Sequence, residues 1–489
     1  MTTIKRTNLC VFGVSLLVII SGTVLIFSSS ILLKFVIRRM LVLEPGTHVY
    51  NLWKHFPELV PMDIYLFNWT NPEEIHNKRV KPRFEQVGPY RFMMDMGKSN
   101  ITWNDNGTVT FRQLKYWYYT REGSKGDLQD MVTTLHPTAL GVSHVSRTWN
   151  YMVRKGVSFS LRGITPTVHV TRTVEELLFK GFPDTLMKLA KTFPFFVDAD
   201  IPPWERFGWF YMRNGSTDFE GVYNVQTGIN SGFGKLNTWN YFTQTPYFSG
   251  NCGKIDGFLG DALDADSIEE IVKVFSPEMC RPVILQFNGK KKVKGIMGNK
   301  YSFDDYMLDN GTKYPQNKCF CNGDCFPRGV FNVSSCRYGM PGFSSLPHFH
   351  KADPYYINLI EGMRPTKEKH EFYAVLEPNT AIPLEVKVST QLNMYLHSIP
   401  DISLYENIPE VLFPILWVDQ QIKIPDSEVS KLKLLLNVPV VCTSIGILMI
   451  IAGLASLIYH FLKFKKNKYL HQENEPLNID YQNIIILKK

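Results

Sequence analysis

Two stretches of the chain contain no Asp, Glu, Lys or Arg: Thr7 to Leu33 and Leu434 to Leu462. A helix of about 20 apolar residues crosses a bilayer core, so these runs predict membrane-spanning helices over 9–33 and 437–462. Between them, from 34 to 436, the pattern shortens. Leu384-Glu-Val-Lys-Val-Ser-Thr-Gln-Leu392 alternates apolar and polar residues, which predicts a half-buried strand. Strands are also predicted around Ile101–Trp103, Thr108–Phe111, Thr167–Thr171 and Phe372–Leu376, with Asn106-Gly107 as a hairpin turn. Helical patterning is rarer. It covers Val174–Lys180, Pro183–Phe193 and Ser267–Phe275, the last with Asp266 or Ser267 as cap and Glu269 and Glu270 in its first turn. A short turn is expected near Tyr405, between Pro400 and Pro414. The predicted fold class is predominantly β (α+β), with helices clustered at 145–195 and 267–275, plus two transmembrane helices.

Charge then sets the orientation. The formal net charge is +8, but Lys5, Arg6, Lys34, Arg38 and Arg39 lie in 1–39, and 463–489 carries six basic and three acidic residues. The flanks hold the whole excess and 40–462 is neutral, which argues for attraction to lipid headgroups and against nucleic acid. Lys463, Lys465, Lys466 and Lys468 outweigh Lys431 and Lys433, so the tail 463–489 is expected in the cytosol, with 1–8 on the same side. The first apolar run exceeds a removable signal core and is followed by basic residues, so it reads as an uncleaved anchor. The expected location is the cell membrane, with an endosomal or lysosomal membrane as the alternative.

Six acceptor sequons fall between the spans, at Asn68, Asn100, Asn106, Asn214, Asn310 and Asn332, and read as exposed turns. Six of the eight cysteines lie there too: Cys252, Cys280, Cys319, Cys321, Cys325 and Cys336. An even number in an oxidising compartment reads as disulfides, whose pairing spacing alone leaves open. A zinc knuckle at Cys319-Phe-Cys321-Asn-Gly-Asp-Cys325 is the rival reading.

The chemistry concentrates in 147–191. Arg147, Arg154, Lys155, Arg162, Arg172, Lys180, Lys188 and Lys191 face only Glu175, Glu176 and Asp184, among Leu177, Leu178, Phe179, Phe182, Leu186, Met187, Leu189 and, just beyond, Phe193, Phe195 and Phe196. Cations beside apolar density suit a lipid carboxylate, a phospholipid headgroup or an anionic lipoprotein. The plainer reading is solvated cations on helices whose apolar residues pack the core. His348-Phe-His350 with Asp353 is the nearest approach to a metal set, and structural histidines are the expected outcome. Catalytic motifs are absent: no Gly-x-Ser-x-Gly, dinucleotide fingerprint or P-loop occurs. Lys290-Lys-Lys-Val-Lys294 reads as a solvated turn between strands. In the tail, Tyr481-Gln-Asn-Ile484 matches an endocytic adaptor signal, Tyr481 and Ile484 being the two anchors.

Several segments resemble the class B scavenger receptors, whose members include fatty-acid transporters, lipoprotein receptors, insect sensory lipid receptors and lysosomal membrane proteins. They are Lys81-Pro-Arg-Phe-Glu-Gln-Val-Gly-Pro-Tyr-Arg-Phe92, Arg172-Thr-Val-Glu-Glu-Leu-Leu178, Cys319-Phe-Cys321, Gly339-Met-Pro-Gly-Phe-Ser-Ser-Leu-Pro-His-Phe349 and Pro414-Ile-Leu-Trp417. The resemblance implies a large antiparallel β-barrel-like ectodomain, an apical helical bundle and an apolar tunnel. It also implies the pairs Cys252–Cys319, Cys280–Cys336 and Cys321–Cys325. Function is then expected to be passive transfer of fatty acids, sterols, phospholipids, carotenoids or lipoprotein lipid, without enzyme chemistry, cofactor or metal. Phe179, Phe182 and Leu186 would form an apolar entrance, with Arg154, Lys155, Arg172, Lys180, Lys188 and Lys191 selecting acidic cargo. An insect-type member is expected, and a homo-oligomer is compatible with this reading. A lysosomal sorting or lipid-export receptor and an adhesion or phagocytic receptor without transport are the alternatives.

Overall fold

A computed structural model describes residues 2–192, 204–229, 232–268, 270–323 and 325–473. The sorting residues Tyr481 and Ile484, together with Phe193, Phe195, Phe196 and Glu269, lie outside the described residues. The chain forms two units, Met1–Arg39 with Ser427–Lys489, and Met40–Asp426.

The first unit holds the helices Thr2–Met40 and Val438–Glu473, whose apolar spans are long enough to cross a membrane. They touch through small residues. Ser15 Oγ donates to Ser456 Oγ at 2.9 Å. A Cβ on Gly22 would stand 2.7 Å from the Gly446 carbonyl oxygen, and one on Gly446 would stand 2.7 Å from that of Gly22. Close backbone approach of this kind supplies the dispersion contact that lipid cannot.

The second unit is built on strands. In chain order they are β1 (Val60–Trp69), β2 (Phe84–Asn104), β3 (Thr108–Tyr119), β4 (Met131–Leu135), β5 (His169–Thr173), β6 (Phe182–Pro183), β7 (Arg206–Phe207), β8 (Val222–Gln226) and β9 (Leu236–Trp239). They continue as β10 (Ile271–Ser276), β11 (Arg281–Val293), β12 (Ile296–Ser302), β13 (Val330–Asn332), β14 (Gly342–Ser345), β15 (Tyr373–Leu376), β16 (Pro383–Leu396) and β17 (Val411–Lys423). Among the described residues, thirteen strands make one antiparallel sheet ordered β10-β11-β12-β15-β16-β17-β1-β2-β3-β8-β9, with β14 joined to β16 and β13 to β14. The sheet nearly closes on itself. Gly257 accepts from Leu236 N, at the start of β9, while Phe258 exchanges bonds with Lys273 and Phe275 of β10.

That closure corrects the helix expected over Ser267–Phe275. The expected caps Asp266 and Ser267 lie inside a short turn, Ala265–Ser267, which Asp264 caps instead by accepting from Asp266 N. Ile271-Val-Lys-Val-Phe275 then pairs with β11, from Ile271 opposite Gln286 to Ser276 opposite Arg281. Capping started a helix, but β-branched residues with partners on both sides took the segment into the sheet.

The alternating segment Leu384–Leu392 lies within β16, and Asn106-Gly107 turns β2 into β3, with Gly107 at φ 76°. The Lys290–Lys294 segment is mostly strand. The turn is confined to Lys294-Gly295, and Lys291 reaches inward to Glu385 at 2.7 Å. Disulfides join Cys252 to Cys319, Cys280 to Cys336 and Cys321 to Cys325. One apolar cluster gathers Trp69, Phe84, Phe413, Leu177 and Phe182; a second gathers Trp53, Phe111, Tyr223, Phe275 and Tyr301.

Candidate functional site

The region 137–192 holds four helical segments, the first of which, Pro137–Ser146, precedes the cluster expected over 145–195. Pro137–Ser146 begins on Pro137, a residue with no amide hydrogen to leave unpaired. Tyr151–Ile164 is capped by Asn150, whose Oδ1 accepts from Val153 N at 3.0 Å. Glu176–Lys180 is a wide helical turn, and Thr185–Thr192 starts at Asp184, which accepts from Met187 N. The other oxygen of Asp184 accepts from Thr138 Oγ1 at 2.7 Å, so one buried carboxylate ties two helices together.

Most of the candidate cations have acidic partners. Arg154 and Lys155 share Asp401, at 2.7 and 3.3 Å. Lys180 pairs with Glu175 at 3.0 Å and Lys191 with Glu205 at 2.8 Å. Lys188 lies close enough to Glu205 to help lower its pKa, after Lys191. Arg172 sits 5.1 Å from the centre of the Phe182 ring and donates to the Thr171 carbonyl. The apolar trio separates: Phe182 is 1 % exposed and Leu186 is buried with it in the core. Phe179 is half-buried, stacked on Phe210 with ring centres 5.1 Å apart and packed on Phe92 and Trp117.

Sequence reasoning missed the face that remains open. On the helix Tyr151–Ile164, Tyr151 is 56 %, Met152 76 % and Phe159 82 % exposed. Tyr151, Lys155 and Phe159 recur four residues apart and share a face, Arg162 follows three residues on, and Met152 lies alongside. Arg162 has no acidic partner among the described residues. The signal was the helical spacing of large apolar residues at 151, 152 and 159, hidden because Leu161 and Ile164 suggest an ordinary core face.

The sequons divide by surroundings. Asn106 is exposed in its turn and Asn100 at a bulge in β2, while Asn310 holds the Thr312 hydroxyl at 3.0 Å. Asn214 pairs its carboxamide with the backbone of Trp117. Asn68 and Asn332 sit in strands rather than exposed turns, Asn68 accepting from Thr133 N.

His348 is a structural histidine. Its Nε2 donates to Gln86 at 2.7 Å, and its Nδ1 accepts from Arg364 N at 3.1 Å. Gln86 Oε1 also accepts from Trp417 Nε1, so one side-chain amide joins three distant segments. Burial, reinforced by Lys369, lowers His348 to about 4. Asp353 instead caps the helix Pro354–Asn358. Among the described residues no three His, Cys, Asp or Glu side chains are placed to hold a metal.

Comparison with known proteins now adds the decisive observation: residues 12–464 match the CD36 family. The chain belongs to the CD36 family. It is similar to Protein peste of Drosophila melanogaster, 37 % identical over 79 % of this chain and 70 % of that protein. It is 32 % identical to human lysosome membrane protein 2, over 88 % of each chain. With mouse scavenger receptor class B member 1 it shares 30 % identity over 82 % of this chain and 77 % of that protein.

Proposed function

We propose that this CD36-family chain binds lipid-bearing particles and passes their lipid passively toward the membrane. The exposed face of Tyr151–Ile164 carries the reading, because Met152 and Phe159 present apolar surface beside Arg162, with Lys155 held nearby by Asp401. Apolar side chains enter a particle's acyl layer, while cations meet phosphate or carboxylate at its rim. Fatty acids, sterols, phospholipids, carotenoids and lipoproteins all offer one or both of these features. The interior route is a proposal carried over from the family resemblance, as are the insect-type assignment, cytosolic placement of both termini and adaptor binding at Tyr481 and Ile484. Concentration and partitioning would drive such transfer without cofactor or fuel.

The test uses full-length chain in nanodiscs and phosphatidylserine-containing vesicles loaded with a fluorescent fatty acid. Met152→Ser with Phe159→Ser should weaken vesicle capture by on the order of a hundredfold or more, since each apolar side chain that enters the acyl layer contributes about 1.5–3 kcal/mol. Unchanged capture and transfer by the folded variant would reject the face. A lysosomal role is the second reading, favoured by the 88 % reciprocal coverage with human lysosome membrane protein 2. Localisation of a tagged chain in its own cells separates the two.

A further inference from the structure

A cavity of about 420 Å³ with a mixed lining lies beside the helix Pro137–Ser146; Val145 and Phe343 give it an apolar part, and His144, Arg147, Asn322, Asn332, Ser335 and Tyr395 the polar part. Its hydrogen-bond inventory is unbalanced. His397 Nδ1 is 3.1 Å from the Ser398 carbonyl, which only accepts, so that nitrogen carries the proton. In the neutral pair His397 Nε2 must therefore accept from His144 Nδ1, 2.9 Å away. His144 is left with a bare lone pair on Nε2, and that atom has no partner among the described residues although the residue is 7 % exposed. Burial, followed by Arg147 and His397, lowers His144 to about 3, which keeps it an acceptor. Beside it, Arg147 donates to the His144 carbonyl at 2.7 Å and has no carboxylate partner among the described residues.

An acceptor and a charged donor side by side call for a ligand with both hydroxyl hydrogens and carbonyl oxygens. An acyl chain offers neither. Asn332 completes the argument, because it lines the cavity and opens the sequon Asn332-Val-Ser334. Its Oδ1 accepts from Ser334 N, and one Nδ2 hydrogen goes to the Cys321 carbonyl at 3.1 Å. The second hydrogen is the one glycosylation replaces.

We infer that this cavity seats a saccharide, namely the first amino sugars of an N-linked glycan on Asn332. In the modification, Nδ2 bonds to C1 of the sugar, the polyprenyl pyrophosphate of the oligosaccharide donor leaves, and one amide proton is released. The remaining N–H keeps its bond to Cys321. A sugar hydroxyl then donates to His144 Nε2, and an acetamide carbonyl accepts from Arg147. The glycan becomes a strut between the helix Pro137–Ser146 and the disulfide-bonded segment around Cys321, a role separate from lipid capture.

The experiment uses full-length chain from a glycosylating eukaryotic host, in detergent micelles, treated with an endoglycosidase under native conditions. Glycopeptide mass spectrometry follows Asn332, with the glycan at the exposed Asn106 as internal reference. Release at Asn332 should be about tenfold slower than at Asn106. Arg147→Gln, or His144→Phe if its fold is kept, should close that gap, as should prior denaturation. An empty Asn332, or equal release rates, overturns its own glycan as the occupant. Asn332→Gln protein is then titrated with free N,N′-diacetylchitobiose by saturation-transfer NMR. Binding that Arg147→Gln abolishes would assign the cavity to a saccharide from outside, and absence of binding overturns the saccharide site altogether.

Discussion

Gly88 shows how a single residue sets the sheet's geometry. Its φ is +103°, and a Cβ there would lie 2.8 Å from the Ile64 carbonyl oxygen, where the β1–β2 register shifts. Gly88→Ala should therefore cost about 1–3 kcal/mol and lower the thermal midpoint of the full-length chain in detergent. Acid acts on other residues. His348 and His370 are buried, stacked 4.6 Å apart, and lowered to about 4 and about 3, burial being the first cause for each. Unfolded histidines titrate near 6.5, so the folded state disfavours their protonation. Their stabilisation is complete above that pH and declines as pH falls from 6.5 toward 4, by about 1.4 kcal/mol per pH unit for each histidine. Thermal midpoints measured across this range should fall, and His348→Gln should flatten the slope.

Among secondary-structure elements, local signals served well wherever the chain turned or spanned. The charge-free runs became the long terminal helices, and Asn106-Gly107 became a hairpin, because such features depend on near neighbours. Ser267–Phe275 misled because one decisive partner, Phe258, lies in a loop and the other, β11, is a hairpin neighbour across a turn that carries no Asn-Gly or Asp-Gly signal. Asn332 in β13 was likewise unreadable as a strand, being held in the sheet only through β14 and β16. The pairing of the terminal helices gives a sharp test. Cysteines placed at Ser15 and Ser456 should cross-link under mild oxidant, and Gly446→Leu should suppress that cross-link by separating the backbones. Cross-linking unchanged by Gly446→Leu would refute the small-residue contact.

For the molecule as a whole, the basic window 147–191 was legible in the sequence but its electrostatics were not. Asp401 and Glu205 lie outside that window, yet they fold back to pair Arg154, Lys155 and Lys191. Counting charges along the chain therefore overstated the field and drew attention from Met152 and Phe159. Asp401→Asn should unmask two cations and strengthen binding to phosphatidylserine vesicles by about fivefold, near 1 kcal/mol for a basic residue at an anionic surface. Vesicle flotation at low and high salt measures it, and the gain should vanish as salt rises. A different consequence follows from the strand order. The first and last strands of the sheet domain are neighbours, with Met62 opposite Gln420, so the last strand ends beside the point where the first begins. Residues 40–426 could be excised and their ends spliced through a short flexible joiner, giving a circular, water-soluble ring that never needs a bilayer to mature.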